Sequence, residues 1–543
     1  MKKTKMLVTI PVACLALAGL ASCSGGSSPK EEGVIKVRLY KGGHGRAWFD
    51  QIAANFVKLY PDVKISVESY SKDAGDLFSK EIKVPDDNDI DLYFVSGAST
   101  PKLLPYSYDI LGTEDPLLEP LDDIINSPAI KNDGTEETET IGSRFYGGYL
   151  DGFKYHVELK NDVFEGKTFE LSWGDCMTGI VCNTAKLQEL GFAVPLTTDE
   201  LISTTKGIHE SNSGVEPWVF AGKNASGYLT YLYNTWFAQY EGIDSYRDFV
   251  RCKPSEGKTI NDNGYEVYEK QGILKSLEAM IPLCNFDYNV EGSGGFDYDK
   301  AQYEFYKQNA VFMANGDWLL REEYDIDQVG QERYDVLKNF EMIKTPILSS
   351  IGTEIGLNDA QLHTLVEMID AKKNDAEILS ALPSLDEAKI LRVKKARGVY
   401  YSEGNNHSII IPSYSNVKEL AKKFVRFMYS NESCNVYHKT AFSNLPLSYT
   451  LDADIEDTKF SKSLNKIYDN EYVSVANIEA HFNEIRSKGG IRLFNYNDWS
   501  SPTTFMLVMR NQDGASPWTA QYMFEKEAKS AKDNWGSYIK KCR

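Results

Sequence analysis

The clearest pattern of apolar and polar residues lies between residues 34 and 68. Apolar residues alternate with polar ones from Ile35 to Leu39, which predicts a strand. A helix face follows at spacings of three and four residues, formed by Phe49, Ile52, Phe56 and Leu59. Pro61 ends this helix, and the alternation resumes from Val63 to Val67. The order strand, helix, strand predicts two parallel strands joined by a right-handed crossover.

Further elements are predicted along the rest of the chain. Asp89 to Val95 has the composition of a buried strand, and Leu117 to Ile125 contains a short helix. Thr197 and Glu200 form a capping box, which predicts the start of a helix. Other helix faces are formed by Leu362, Leu365, Val366 and Ile369, by residues 378–382, and by Val417, Leu420, Phe424 and Met428. A last helix is predicted to begin at Ser516 and Pro517, as N-cap and first-turn proline.

The N-terminal residues have the pattern of a secretory signal. Lysines at positions 2, 3 and 5 precede a short apolar run from Met6 to Leu20. A membrane helix would need roughly 20 apolar residues, whereas this run is shorter and contains Pro11. The sequence Leu-Ala-Ser-Cys that ends at Cys23 resembles the lipobox of bacterial lipoproteins. That resemblance implies a signal peptide over 1–22, a lipid on Cys23 and a flexible tether over 23–32; an ordinary signal with an incidental cysteine is the alternative.

Composition narrows the class of protein. The chain has 543 residues, more than one core usually serves, so at least two lobes are expected. A formal net charge of -19 argues against a nucleic-acid partner, because phosphate contacts need clustered Lys and Arg. None of the eight cysteines forms a C-x-x-C pair, so a zinc ribbon or a thioredoxin-like site is not expected. A single bridge between Cys176 and Cys182 is left open.

Several segments together resemble one family. They are the glycine-rich turn at 41–45, Asp91 to Gly97 (Asp-Leu-Tyr-Phe-Val-Ser-Gly), Glu119 to Asp123 (Glu-Pro-Leu-Asp-Asp), Gly179 to Gly191, Pro195 to Leu201, Phe305 to Leu320 and Asn405 to Met428. In this order they resemble the extracellular solute-binding proteins of ABC transporters, in the sugar-binding group (family 1) that includes maltose-binding protein. Each motif alone is weak, and one departs from the family, since Cys182 replaces the usual aromatic residue.

The resemblance implies an α/β protein with a type II periplasmic-binding-protein-like fold. Two discontinuous α/β lobes would be joined by a hinge, with the ligand cleft between them. By analogy, lobe one comprises 33–147 and 404–450, and lobe two comprises 148–403 and 451–543. The segments 135–168 and 352–399 are longer than the family's usual connections and are expected as insertions on the second lobe.

Signatures of catalysis and of metal binding are largely missing from the sequence. It has no G-x-S-x-G elbow, no P-loop and no H-E-x-x-H motif among its seven histidines. Its 78 acidic residues offer many carboxylate pairs for a glycosidase but no signature that selects one. We therefore expect no enzyme activity, no cofactor and no metal ion. A calcium ion near Asp287 is left open, because residues 287–292 resemble a calcium loop, although Tyr298 stands where its terminal Glu should be.

Candidate ligand-binding residues follow from their position after predicted strands and from the chemistry of sugars. A sugar presents an apolar face to a flat aromatic ring and hydroxyl groups to polar side chains. The candidates are His44, Arg46, Ser96, Trp173, Asp175, Trp236, Asn315, Asp317, Trp318, Asp498 and Trp499. Some have structural alternatives: Asp317 could cap a helix, Trp236 could lie in a core, Arg46 could pair with an acidic neighbour and His44 could be solvated. In the family, aromatic residues at the positions of Trp318 and Trp499 commonly stack on sugar.

The sequence therefore predicts a lipid-anchored, extracytoplasmic component of an ABC importer. It would capture a carbohydrate, with an oligosaccharide as the expected size, and deliver it to the transmembrane permease subunits. The expected partners are the sugar, the permease and the membrane through Cys23, and the chain is expected to be a monomer. The alternatives are a binding protein for a peptide or other organic solute, and a surface glycan-acting enzyme.

Overall fold

The computed structural model describes residues 32–70, 75–96, 100–156, 163–326, 336, 339–403, 406–453, 458–476 and 518–542. Cys23 with the signal peptide, the helix start at Ser516 and the predicted ligand-binding residues Asp498 and Trp499 lie outside them. Within the described part, none of the helices combines the length and the apolar character needed to cross a bilayer.

The described residues form strands and helices that alternate along most of the chain. The strands are β1 (Glu32–Tyr40), β2 (Asp62–Tyr70), β3 (Leu92–Ser96), β4 (Pro128–Ile130), β5 (Glu136–Thr140), β6 (Leu171–Ser172), β7 (Met177–Asn183), β8 (Glu216–Val219), β9 (Ala310–Gly316), β10 (Phe340–Ile343), β11 (Val399–Ser402), β12 (Asn406–Ile410) and β13 (Ser474–Ala476). The helices are α1 (Ala47–Leu59), α2 (Gly75–Ile82), α3 (Thr100–Leu103), α4 (Ser107–Leu111), α5 (Asp122–Ile125), α6 (Ile141–Arg144), α7 (Thr184–Glu189), α8 (Thr198–Glu210), α9 (Ala225–Glu241), α10 (Ile243–Val250), α11 (Ile260–Asn263), α12 (Gln271–Met280), α13 (Tyr298–Tyr306), α14 (Leu319–Ile326), α15 (Ser349–Ile355), α16 (Asp359–Asp370), α17 (Asp375–Ala381), α18 (Glu387–Arg397), α19 (Lys418–Met428), α20 (Asn431–Ala441), α21 (Lys459–Tyr468) and α22 (Ala520–Cys542).

The first sheet has the strand order β2-β1-β3-β12-β6. The alternating pattern at the start of the chain forms β1 and β2, which pair in parallel with Val37 opposite Val67, as predicted. Strand β3 is also parallel to β1, whereas β12 runs antiparallel to both β3 and β6. The apolar face of α1 packs on this sheet together with α19 and α20, and we call this assembly the first lobe.

The second sheet has the strand order β13-β11-β7-β9-β8, and β10 also pairs with β7. Every residue of β7 and of β9 is buried, because helices cover both faces of the sheet. Helix α9 lies in the largest apolar cluster and contacts β7, β9 and β11. The capping box at Thr197 and Glu200 starts α8, as the sequence predicts. We call this assembly the second lobe.

The two long connections pack differently from each other. Residues 352–399 contain helices α16 to α18, whose apolar faces join the core of the second lobe. In contrast, Tyr155, Phe164 and Phe169 pack against Phe78 of the first lobe, and β6 is an edge strand of the first sheet. The expectation that 135–168 lies wholly on the second lobe is therefore wrong, because these aromatic rings are buried on the first sheet.

The structure contains Cys176 and Cys182 as buried thiols. Cys182 lies in β7, and Cys176 directly precedes that strand, six residues earlier. An extended chain of that length spans about 20 Å, whereas a disulfide needs Cα atoms within about 7 Å. The bridge left open by the sequence does not form here.

Candidate functional site

The chain passes between the two sheets at several points that lie close together. One passage joins β6 to β7 through residues 173–176, and another joins β11 to β12. A third follows α20, where Ser443 and Asn444 are fully buried. Because side chains from both lobes meet here, these passages and the turn after β1 outline the candidate site.

Buried rings surround the first passage on the side of the first lobe. Trp173 stacks on Trp48 with ring centroids 5.5 Å apart and an angle of 26° between the planes. Tyr429 and Tyr437 contact the edges of Trp173 at 5.3 and 5.5 Å, and His407 contacts Trp48 at 6.1 Å. We call these five residues the crossing cluster.

A buried polar contact joins the two lobes directly. His44, in the one-turn helix Gly42–His44 after β1, places Nε2 3.0 Å from Oδ1 of Asp317 at the end of β9. The other carboxylate oxygen, Oδ2, accepts from the backbone N–H of Met177 at 3.2 Å and from the hydroxyl of Ser443 at 2.6 Å. Asp317 thus connects the turn after β1, the start of β7 and the third passage. These contacts define what we call the seam.

A row of aromatic side chains lines the seam on the second lobe. Trp318 contacts the ring of Tyr231 edge-on at 6.2 Å, and Tyr231 contacts Tyr228 at 5.5 Å and stacks on Tyr401 at 5.9 Å. We call Tyr228, Tyr231, Trp318 and Tyr401 the aromatic strip. These rings belong to α9, to β11 and to the junction between β9 and α14.

Two glycines allow the close approach of Trp318. A Cβ on Gly316 would lie 2.2 Å from the Trp318 ring, and one on Gly43 would lie 2.7 Å from Trp318 Cβ. The same Cβ on Gly43 would lie 2.8 Å from a carboxylate oxygen of Glu322. The glycine-rich turn of the first lobe therefore rests directly on Trp318 and Glu322 of the second.

Two carboxyl groups near the seam have raised pKa values. Burial raises the pKa of Glu322 to about 7, although a hydrogen bond from Gln302 at 2.8 Å opposes the shift. Burial likewise raises the pKa of Asp175 to about 7, although the hydroxyl of Tyr468 donates to its Oδ2. The charge of Asp317 adds to the shift of Asp175. Both groups can therefore change protonation near neutral pH.

Two residues at the passages have backbone conformations that L-residues rarely adopt. Cys176 has φ of 53° and His407 has φ of 64°. Burial lowers the pKa of His407 to about 3, so its imidazole is neutral. Burial also raises the pKa of the Cys176 thiol, with Asp317 as the next cause. Such conformations cost about 1–3 kcal/mol each and persist where the surroundings hold them in place.

The structure brings together three of the sequence-predicted residues in the seam, namely His44, Asp317 and Trp318. His44 is buried rather than solvated, and the bonds of Asp317 described above reach other segments rather than the helix that follows it. Asn315 lies beside them in β9, where its Oδ1 accepts from the backbone N–H of Gly316 at 2.7 Å. Trp173 belongs to the crossing cluster.

Other predicted residues lie elsewhere. Trp236 is in the core of the second lobe, where its indole N–H donates to the carbonyl of Pro346 at 3.0 Å. Arg46 pairs on the surface with Asp50 at 2.9 Å, which is the acidic neighbour that the sequence left open. Ser96 ends β3 opposite Asn406.

Sequence reasoning missed Tyr228, Tyr231, Glu322 and His407. A helical wheel of α9 separates these tyrosines from Tyr233 and Trp236, but it does not show which side of the helix meets the seam. Tyr228 and Tyr231 lie on one side of the helix, and Tyr233 and Trp236 lie on another side. No local signal marks His407, which reaches the site only through the sheet pairing of β12.

Solved structures with the same arrangement are known. RafE from Streptococcus pneumoniae matches 95% of this chain and all of its own with a TM-score of 0.52 and 14% identity. The match to the bacterial solute receptor AcbH covers 93% of this chain and the whole AcbH chain, with a TM-score of 0.55 and 14% identity. The chain has the fold of a solute-binding protein. The match to a probable secreted solute-binding lipoprotein from Streptomyces coelicolor covers 91% of this chain and 98% of that protein's chain, with a TM-score of 0.55 and 13% identity.

These similarities confirm the expected fold, a two-lobed α/β protein of the type II periplasmic-binding-protein kind. No protein-family model and no curated protein sequence matches the chain. With identities of 13–14%, the comparisons show the fold, and the ligand must be argued from the side chains.

Proposed function

We propose that the protein is the lipid-anchored substrate-binding component of an ABC importer and that its ligand is a carbohydrate, with an oligosaccharide as the expected size. The ligand would bind between the lobes, against the aromatic strip. The protein would then deliver it to the permease subunits in the membrane. Cys23 would hold the chain at the outer face of the membrane as a monomer.

The observation that carries this proposal is the combination of flat rings and carboxyl groups at the seam. Aromatic rings suit the apolar faces of sugar rings, and carboxyl and amide groups suit their hydroxyls. Glu322 and Glu403 lie beside the rings of Tyr228 and Tyr231 closely enough to raise the pKa of Tyr228 further, after burial as the main cause. A set of apolar faces with a few convergent polar groups is the usual form of a small-molecule site.

Ligand entry requires the two walls of the seam to separate. The turn after β1 covers Trp318, so separation would break the contact between His44 and Asp317 and expose the strip. A ligand that touches both walls favours the closed arrangement, since its full set of contacts forms only there. The passages between the sheets would act as the hinge.

The ligands described for similar structures support the choice of ligand class. RafE has been crystallised in complex with raffinose, and AcbH is described as having an exclusive preference for β-D-galactopyranose. The Streptomyces coelicolor protein is described as a lipoprotein, which supports the role of Cys23. Capture and delivery need no covalent step, so we propose no enzyme activity. Asp498 and Trp499 remain predicted parts of the site.

The proposal is tested by thermal unfolding and calorimetry against a panel of sugars and peptides. The sugars would include raffinose, galactose and longer oligosaccharides of several linkages, because a ligand of the folded state raises the melting temperature by mass action. A saturable rise with at least one sugar, without new products by chromatography, is expected. A rise with peptides alone would overturn the carbohydrate assignment, and released products would overturn the assignment as a binding protein.

Two substitutions locate the binding surface. Trp318→Ala removes a ring from the strip, and Trp518→Ala removes a partly buried ring beside the C-terminal helix α22. The first is expected to reduce the shift given by the sugar, and the second to preserve it. Equal responses in both variants would contradict binding at the seam.

A further inference from the structure

Three side chains that commonly bind metal ions converge behind the seam. His44, Cys176 and His407 each offer a ligand atom, these atoms lie within 4.8 Å of one another, and all three residues are buried. They come from the turn after β1, from the passage into β7 and from strand β12. The fold therefore brings them together from three distant parts of the chain.

The hydrogen bonds of the two histidines leave the same nitrogen available on each ring. Nε2 of His407 lies 2.9 Å from the carbonyl oxygen of Lys41, and Nε2 of His44 lies 3.0 Å from a carboxylate oxygen of Asp317. A carbonyl oxygen or a carboxylate accepts, so each Nε2 carries the proton and each Nδ1 keeps a lone pair. Both Nδ1 atoms are buried, and neither has a hydrogen-bond partner among the described residues.

We propose that His44, Cys176 and His407 bind one divalent transition-metal ion of the Zn²⁺ class. In metal sites, a ligating histidine commonly donates its other N–H to a carboxylate or a backbone carbonyl, which are the partners found here. Two imidazoles and a thiolate are ligands that Zn²⁺ prefers, and a fourth position would take water. Bonds of about 2.0–2.3 Å in a tetrahedron place the ligand atoms about 3.3–3.8 Å apart, so only small movements are needed.

The surroundings of the cluster suit a cation. The carboxylate of Asp317 faces His44, and Asp175 is adjacent to Cys176 in the sequence and fully buried. Such acidic groups stabilise a bound cation, and apolar rings surround the site. Cys176 and His407 both have left-handed backbone conformations, and their ligand atoms lie within 4.8 Å of each other. The ion would tie the turn after β1 to the passages between the lobes.

The test uses Zn²⁺ and Co²⁺ added to the purified, metal-stripped protein. We expect one equivalent of Zn²⁺ to stay bound through gel filtration, and Co²⁺ to give a thiolate-to-cobalt charge-transfer band. Cys176→Ser should remove the band, and His407→Gln should reduce the affinity for Zn²⁺ at least about 10-fold. X-ray absorption should show one sulfur at about 2.3 Å and nitrogens at about 2.0–2.1 Å.

Two control variants test whether the metal binds at this site and not at another thiol or imidazole. Cys182→Ser changes a buried thiol within β7, and His363→Gln changes a histidine that pairs with Glu200. Both should keep the band and the stoichiometry. Failure of the folded wild-type protein to retain Zn²⁺ and to give the band would overturn the proposal, as would a band that survives Cys176→Ser. Sugar binding is read by a separate signal, so either result leaves the proposed function to its own test.

Discussion

The crossing cluster and the aromatic strip both gather tryptophan and tyrosine where the two lobes meet, but their rings are held differently. Trp173 is fully buried and packs against Trp48, Tyr429 and Tyr437, all of which belong to the core of the first lobe. Trp318 belongs to the second lobe and is covered by Gly43 and His44 of the first. Separation of the lobes would leave the packing of Trp173 intact and would expose Trp318.

Because of this difference, we expect the two regions to contribute to different properties of the protein, namely stability and ligand affinity. The crossing cluster stabilises the fold whether the lobes are open or closed, because its contacts lie within one lobe. The aromatic strip would change its surroundings in any separation of the lobes, because part of its covering comes from the other lobe. Substitutions should therefore affect stability in the first region and ligand affinity in the second.

The largest effect is expected for Trp173→Ala. Removal of a fully buried ring that stacks on Trp48 should lower the free energy of unfolding by about 3–5 kcal/mol. Chemical denaturation monitored by circular dichroism measures this change. A loss below about 1 kcal/mol would show that the cluster does not support the first lobe.

A somewhat smaller loss, about 3 kcal/mol, is expected for Asp317→Ala. This change leaves His44 and the backbone N–H of Met177 buried without their carboxylate. Denaturation of the variant measures the loss, with Asp50→Ala as the control. Asp50 pairs with Arg46 on the surface, so its removal should cost at most about 0.5 kcal/mol. Similar losses in both variants would contradict a structural role of the seam.

The next effect is a dependence of stability on pH. Asp175 has a pKa of about 7 in the folded protein, well above its usual range, because it is buried. The folded state then binds more protons than the unfolded state between about pH 4 and 7, so this group's contribution to stability is lost as the pH rises through that window. Asp175→Asn should flatten the pH profile there by up to about 1.4 kcal/mol per pH unit, as measured by thermal unfolding at a series of pH values. An unchanged slope would show that Asp175 is not the group responsible.

The smallest effect is expected for Trp318→Ala, and it should appear in the ligand affinity. Loss of a ring that stacks on sugar costs about 2 kcal/mol of binding, or about 30-fold in affinity. Trp318→Phe should recover part of that loss, because a flat ring remains. Calorimetry with the sugar identified in the panel measures both values, and full affinity in the alanine variant would exclude Trp318 as the platform.

The parts of the fold that the sequence predicts are those with local signals. The strand pattern from Ile35 to Leu39 forms β1, and the capping box at Thr197 starts α8. Strand β6 has only two residues, which is too short for any periodic pattern, so the lobe assignment of its neighbourhood was missed. Aromatic residues on both faces of α9 gave periodicity no way to decide which face meets the seam.

The residues of the candidate site also divide into those with a local sequence signal and those without one. Trp318 and His44 were predicted because each follows a strand that the sequence marks clearly. His407 and Cys176 could not be placed with them, because their meeting depends on the pairing of distant strands rather than on any spacing. Their residue types became informative only when the ring nitrogens and their hydrogen-bond partners were known.

Strand β12 has a consequence for the order in which the protein can fold during synthesis. Ile409 lies opposite Phe94 on one side and Leu171 on the other, so the first sheet remains in two pieces until this strand arrives. A ribosome must therefore synthesise roughly three-quarters of the chain before the sheet of the first lobe can be completed. A chain truncated before β12 should therefore be degraded rather than accumulate as a stable half.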